Sequence, residues 1–332
     1  MKIAILDDYQ DAVRGLDCFQ MLDGHEVKVF NSSTRGLGQL AIRLAPFDAL
    51  VLIRERTALP RALLAKLPNL KLISQTGKVS GHIDVAAASE HGIAIAEGSG
   101  SPVAPAELTW ALIMAASRKI VPYASNLKDG LWQTASVNPA LNSVGRVLQG
   151  RTLALWSYGK IGKLVAGYAR AFGMRVMVWG SETSRQAAIA DGFEAAASRE
   201  ALFEAADVLS LHLRLAPSTR GIVTGADLAR MKPDALLVNT SRAELVEEGA
   251  LEQALKRGHP GSAALDVFTS EPLAADSALL RIPTVLATPH LGYVEKDSYE
   301  LYFSTAFENV LRFAQGAPSN ILNPEALAKR RV

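Results

Sequence analysis

The sequence predicts an α/β protein built from two doubly wound, parallel-sheet domains. Three observations carry this. Short apolar runs alternate with helix-like stretches along almost the whole chain. The alternation comes in two series, separated by a polar stretch. A length of 332 residues exceeds the size at which one core usually splits in two. The first series has strand candidates in "KIAIL", "EVKVF", "ALVLI", "LKLIS" and "IAIAE". A long helix follows in "APAELTWALIMAASRKI", Ala104–Ile120. "KDGLWQTASVNPALNSVG" has weak periodicity and contains Gly and Asn, so it reads as a loop. The second series runs through "TLALW", "RVMVW", "VLSLHL", "ALLVNTS", "SAALDVF" and "TVLATP". The last long helix spans Lys296–Gly316. Short β-rich runs separated by helices require parallel sheets covered on both faces.

Composition narrows the function classes. A hydrophobic content of 49% with 20% charged residues suits a packed globular chain rather than a disordered one. With 35 basic and 33 acidic residues the formal net charge is +2, which gives no polyanion-binding signature and points away from nucleic acid. The N-terminal apolar run is broken at Asp7 and Asp8, too early for a signal-peptide core. Leu108–Ala116 is apolar apart from Thr109 but far short of the ~20 residues that span a bilayer. Cys18 is the only cysteine, so neither an internal disulfide nor a cysteine metal cluster is expected. A cytoplasmic protein without membrane contact or metal is the expectation.

The stretch "TLALWSYGKIGKLV" places a turn between a strand and a helix. The dinucleotide fingerprint G-x-G-x-x-G falls here on Ser157, Gly159 and Gly162. The middle glycine lets backbone approach a pyrophosphate, and the last lets helix and strand pack closely. Ser157 stands where the first glycine serves the tight turn. The candidate cofactor residues are therefore Ser157, Tyr158, Gly159, Lys160, Ile161 and Gly162. An ordinary βα turn with two glycines is the competing reading. The next strand, "RVMVWG", usually ends in an acid that binds the ribose 2′-OH. Here that position is Gly180, eighteen residues beyond Gly162. Without that carboxylate a 2′-phosphate meets less repulsion. Ser181, Thr183, Ser184 and Arg185 are then candidates to hold it, whereas Glu182 argues for NAD. The cofactor expectation is thus NAD or NADP, with Gly180 and Ser181 at the distinguishing end.

Three segments of the second series bear chemistry at strand ends. "LLVNTSRAELVEEGAL" carries Arg242, "AALDVFTSEPL" carries Asp266 and Glu271, and "VLATPHLGYV" carries His290. Ligands of open α/β sheets bind at the carboxyl ends of strands. Each residue alone has a dull explanation: Arg242 as a partner of Glu244, Glu271 as a loop solvator, His290 as a satisfied turn histidine. Together they make an anion holder, a carboxylate and a base at successive strand ends.

On these segments the chain resembles the D-isomer-specific 2-hydroxyacid dehydrogenases, from "MKIAILDDYQ" to "ENVLRFAQG". The resemblance places the family's catalytic arginine, glutamate and histidine on Arg242, Glu271 and His290. It implies a flavodoxin-like substrate domain, 1–101 with 292–332, and a Rossmann cofactor domain, 102–291, with a cleft that closes over substrate. It implies interconversion of a small 2-keto acid and its D-2-hydroxy acid. Arg242 would bridge carboxylate and carbonyl through its planar fork. His290 would exchange the proton, and Glu271 would orient the imidazole. Asp266, Thr240 and His212 would lie along the cofactor. "SQTGKVSGHIDVAAASEHGI" matches the family's substrate loop, whose backbone N–H groups grip the substrate carboxylate. Val79 replaces its second glycine, and Lys78 either adds a charge toward substrate or faces solvent. Arg54 in "LIRERT" is a candidate for the substrate tail, or a surface ion-pair partner. A homodimer through the cofactor domain is the implied assembly.

Two other classes stay in view. A relative that oxidises phosphite has a lysine at the Lys78 place. A dinucleotide-sensing corepressor shares the fold and would bind protein partners. Glu271 argues against formate dehydrogenase, which lacks that partner of the histidine. A mid-chain nucleotide turn argues against the L-specific lactate and malate enzymes.

Overall fold

The computed structural model describes residues 1–34 and 36–329. Its contacts divide the chain into two units: Met1–Ser101 with Glu295–Val332, and Pro102–Val294. The chain leaves the first unit at residue 102 and returns at Glu295 rather than at residue 292.

In the first unit, five apolar runs become β1 (Lys2–Ile5), β2 (Glu26–Val29), β3 (Ala49–Leu52), β4 (Leu72–Gln75) and β5 (Ala94–Ala96). They form one parallel sheet in the order β2-β1-β3-β4-β5. This is the flavodoxin-like order, with its switch point between β1 and β3. Central β3 and β4 are buried on both faces, while edge strand β2 exposes Glu26 and Lys28. Helices α1 (Leu37–Leu44), α2 (Arg61–Leu64) and α3 (Val85–Glu90) connect the strands. Asp84 caps α3 by accepting a hydrogen bond from Ala87 N at 2.8 Å.

The second unit opens with α4 (Val103–Ser117) and α5 (Ile120–Lys128). The single helix expected over 104–120 is thus broken, because Lys119 takes a left-handed φ of +52°. Residues 129–149 form no helix or strand. The remaining elements alternate: β6 (Thr152–Trp156), α6 (Lys160–Ala171), β7 (Arg175–Trp179), α7 (Glu182–Ala190), β8 (Glu194–Ala195), α8 (Arg199–Ala205), β9 (Val208–Leu211), α9 (Gly225–Leu228), β10 (Leu236–Asn239), α10 (Ala250–Arg257), β11 (Ser262–Leu265) and β12 (Val285–Ala287). The sheet order is β12-β11-β10-β9-β6-β7-β8, all parallel. This is the Rossmann order extended by one strand, and chain order reverses between β6 and β9. The fully buried apolar strands β6, β9 and β10 explain their unbroken hydrophobic runs.

Helix α11 (Lys296–Ala314) belongs to the first unit. It buries Tyr302, Phe303, Phe307, Val310 and Phe313 and packs on β3 and β4. Beyond it, Ile321 pairs antiparallel with Ala96, closing the open edge of β5.

Candidate active site

The β6–α6 turn is built around one unusual backbone angle. Ser157 has φ +84°, the left-handed region that favours glycine, and its N–H reaches Trp179 O at 2.7 Å. Two residues on, Gly159 starts α6 with no side-chain cap, and a Cβ there would meet no protein atom within 4 Å. Open space therefore lies over the N–H groups of the first turn of α6, the place where a helix favours an anion. Gly162 serves packing instead, since a Cβ would lie 2.8 Å from Ser157 O. Lys160 is exposed and Ile161 half-buried at the helix start. Tyr158 turns its side chain away from the open space. Its ring is buried in the domain core, and its hydroxyl donates to Asp191 Oδ2 at 2.9 Å, so only its backbone is placed for a cofactor. The turn thus fits a dinucleotide pyrophosphate.

At the end of β7, Gly180 has φ +155°, and a Cβ would come 3.3 Å from Ser184 Cβ. The glycine is there for conformation as well as for want of a carboxylate. Ser181 caps α7 through Ser184 N at 3.2 Å. Arg185 lies over the Trp179 ring at 4.7 Å and pairs with Glu182 at 2.5 Å. Across the switch point, His212 sits at the end of β9. Burial pushes its imidazole down to about 4, so it is neutral at pH 7 although the residue keeps some exposed surface. Its Nε2 lies 2.9 Å from Ser210 Oγ.

The neighbours β10, β11 and β12 carry the chemical side chains in side-by-side loops. Buried Asn239 shapes the first loop, accepting Ser241 N at 3.0 Å and donating to Arg242 O at 2.9 Å. Thr240 Oγ1 is engaged with Thr109 Oγ1 at 2.7 Å. Glu271 accepts Phe268 N at 2.9 Å with one oxygen and His290 Nδ1–H at 2.6 Å with the other. Burial alone would raise the Glu271 carboxyl. The hydrogen bond and charge of His290, the Phe268 N–H and the charge of Arg242 hold it below its ordinary value. With Nδ1 donating to Glu271, His290 has Nε2 left for other partners.

His290 itself has φ +53°. The turn is held by Asp266, whose fully buried carboxylate accepts Thr288 Oγ1–H at 2.6 Å, Leu291 N at 2.7 Å and Gly292 N at 2.9 Å. Both Asp266 oxygens are thus taken up by the His290 turn, a role the expected cofactor contact did not include. The turn also folds Tyr293 back onto His290, edge to face with ring centres 5.5 Å apart. Tyr293 escaped the sequence reading; its spacing of three residues from His290 was the available signal.

In the first unit, Arg54 has φ +52° and donates its N–H to Thr76 Oγ1 at 2.9 Å. Its guanidinium reaches Thr76 O at 3.4 Å and lies against Gly77, where a Cβ would touch it. Lys78 is exposed but paired: its Nζ donates to Glu97 Oε2 at 2.8 Å. Val79 N–H donates to the other oxygen of Glu97, also at 2.8 Å. Lys78, read from the sequence as facing either substrate or solvent, is thus an exposed cation held by Glu97. Among the described residues there is no metal-binding group of His, Cys, Asp and Glu, and no helix long and apolar enough to cross a membrane. A cavity of about 310 Å³ lies on the side of α9 and α10, lined by Gly225, Glu247, Gln253, Arg257 and His259 among others, and includes none of the residues above.

A Rossmann-order sheet with an anion-ready first turn and a carboxylate–imidazole pair at its strand ends defines a class, the dinucleotide-dependent oxidoreductases. Residues 110–292 match the family model for the NAD binding domain of D-isomer specific 2-hydroxyacid dehydrogenases. The chain is 35% identical over 272 residues to a glyoxylate reductase of Aeropyrum pernix, covering 81% of each. It is 34% identical over 288 residues to a D-3-phosphoglycerate dehydrogenase of Bacillus subtilis, covering 86% of this chain but 53% of that protein. The chain therefore spans about half the length of the Bacillus relative. A solved oxidoreductase structure from Ralstonia solanacearum superposes with a TM-score of 0.96 at 58% identity, covering 98% of both chains. This chain belongs to the D-isomer specific 2-hydroxyacid dehydrogenase family.

Proposed function

We propose that this chain is an NAD(P)-dependent dehydrogenase that interconverts a small 2-keto acid and its D-2-hydroxy acid, with Arg242, Glu271 and His290 as its chemical residues. The observation that carries this is the 2.6 Å bond from His290 Nδ1 to Glu271, on a carboxylate that also feels the charge of Arg242. A bound nicotinamide supplies or accepts the hydride at the substrate carbon. Arg242 orients the substrate, its fork matching a carboxylate and the adjacent carbonyl oxygen. His290 gives its Nε2 proton to the oxygen that becomes the alcohol, and takes it back in the reverse direction. Glu271 fixes the imidazole by holding Nδ1–H and supplies negative charge beside the proton-bearing ring. Asp266 holds the turn that sets the height of that ring. The turn 157–162 would receive the pyrophosphate, and His212, Thr240 and Asp266 would line the nicotinamide side. The loop 76–80, with Arg54 beside it, would take the substrate carboxylate and tail.

Use of both cofactors is part of the reading. Gly180 presents no carboxylate to a 2′-phosphate, and the Glu182 carboxylate is engaged with Arg185 and Gln186. Phosphite is disfavoured as substrate, because Glu97 already neutralises Lys78. A homodimer through the second unit is supported by its exposed apolar residues. Ile120, Val121, Leu127, Trp132, Val137, Val144 and Val147 all stand on residues 120–147 and are at least half exposed.

The test is turnover of pyruvate, glyoxylate and hydroxypyruvate with NADH and with NADPH, and chiral analysis of lactate or glycerate formed. A D product is expected. His290→Ala is expected to lower kcat by ~10²–10⁴-fold with cofactor affinity nearly intact. An L product, or near-normal turnover without His290, would overturn the assignment.

A further inference from the structure

Glu97 stands at the end of β5, and nothing in the strand–turn pattern marks it. Its backbone is fixed on both sides: its N–H donates to Asn320 O at 2.9 Å, and its carbonyl accepts Asn309 Nδ2–H at 3.1 Å. The next residue ties the same segment to the loop, with Gly98 N on Gly77 O at 2.8 Å. A Cβ at Gly98 would lie 2.6 Å from Gly77 N, so the two backbones are in close contact. From this anchored position the Glu97 carboxylate takes two donors of the loop 76–80. One oxygen accepts Val79 N–H and the other accepts Lys78 Nζ–H, each at 2.8 Å. The carboxylate is mostly enclosed, with a side-chain exposure of 17%, whereas Lys78 is 71% exposed. The other cation at the loop, Arg54, lies 3.8 Å from Glu55. A backbone N–H joined by a cation is how a protein grips a carboxylate. Glu97 thus offers the loop the same chemistry that a substrate carboxylate would.

We infer that Glu97 is a specificity-determining residue that lowers the loop's affinity for anions by neutralising Lys78. The inference rests on the reading that loop 76–80 holds the substrate carboxylate. Its physical content is a charge balance. With Glu97 present the Lys78–Glu97 pair adds no net charge to whatever else holds a monoanion at the loop. Removing the Glu97 charge leaves an ammonium beside the incoming anion. Removing the Lys78 charge instead leaves a carboxylate that repels it. The gain is larger for a dianion than for a monoanion, and it fades with salt because Lys78 is exposed.

The test is a charge cycle with Glu97→Gln, Lys78→Met and the double variant. Glutamine keeps an acceptor for Val79 N–H, so it removes charge with little change of shape. Oxalate affinity is measured by calorimetry on the cofactor-loaded protein, and KM for pyruvate, glyoxylate and hydroxypyruvate is measured alongside. Glu97→Gln is expected to tighten oxalate and lower KM by about three- to tenfold, with a steeper salt dependence. Lys78→Met is expected to weaken both by a similar factor, and the double variant to return close to the unmodified protein. A role confined to shaping the loop would weaken binding in every variant without restoration. That pattern, or oxalate affinity unmoved by Glu97→Gln, overturns the inference. Oxalate binding decides the matter whether or not any of the three keto acids is turned over, so a failure of the catalytic reading is seen separately.

Discussion

Ser157→Gly is expected to stabilise the second unit without loss of cofactor affinity. Ser157 holds φ +84°, where an L side chain crowds its own backbone at a cost of about 1–2 kcal/mol. Glycine relieves that cost but gains about 0.4–1 kcal/mol of unfolded-state freedom. The difference leaves a net stabilisation of about 0.5–1 kcal/mol. Among the described residues no hydrogen bond of the Ser157 hydroxyl offsets this, and the N–H bond to Trp179 O is a backbone feature that survives. For a unit of this size the gain corresponds to a rise in Tm of about 1–4 °C. Thermal unfolding, with and without NADH, and a fluorescence titration of NADH are the assays. The contrasting substitution is Gly162→Ala, whose new methyl would press on Ser157 O at 2.8 Å and should lower both Tm and affinity. If Ser157→Gly instead lowers Tm, or weakens NADH binding severalfold, the backbone account is wrong and the hydroxyl itself touches the cofactor.

Three further outcomes are expected. Gly180→Asp should lower NADPH affinity about tenfold relative to NADH. It should also lower Tm, because of the φ of +155° and the nearby Ser184; equal losses for both cofactors would leave only strain as the cause. Glu271→Gln should slow keto-acid reduction about tenfold or more while leaving NADH binding intact, read from kcat and a cofactor titration. Because the folded carboxyl of Glu271 lies below its ordinary value, its contribution to stability is full above the unfolded value near 4.3 and is lost as pH falls through the folded one. Unfolding midpoints of the unmodified protein and Glu271→Gln should therefore converge in acid. Tyr293→Leu should reduce kcat about three- to tenfold and Tyr293→Phe should restore it; a Phe variant as slow as Leu would show that the hydroxyl, not the ring, matters.

Much of this was legible because buried parallel strands leave unbroken apolar runs. The strands around β6, β9 and β10 were visible for that reason. Strand β8 was not, since two residues at a sheet edge leave no pattern. The break at Lys119 was also hidden, as the apolar spacing continues across it while the backbone turns left-handed. Arg242, Glu271 and His290 were readable because each follows a recognisable strand. Their closeness depends on sheet order, which makes β10, β11 and β12 neighbours. Side-chain direction was the weaker point. Tyr158 sits inside the nucleotide turn yet turns into the core, and Asp266 spends its oxygens on backbone N–H groups. The Lys78–Glu97 pair joins residues from the ends of two adjacent strands, and no local spacing announces it.

Because α11 belongs to the first sheet, the order of synthesis and the order of completion differ. A ribosome makes β1 to β5 first, but the faces of β3 and β4 that α11 covers stay bare until residues 296–314 have emerged. The second unit, drawn from one uninterrupted stretch, has all its strands before then. Domains often fold as they are made, beginning at the N-terminus. Here the nascent chain would carry an unfinished sheet through the assembly of a finished one. Ribosome-stalled chains in which residue 294 is followed by a linker long enough to fill the exit tunnel should show a protease-resistant 102–294 segment beside a sensitive N-terminal one. Chaperone contact during biosynthesis would then concentrate on β1 to β5, which are made before the second unit and completed after it.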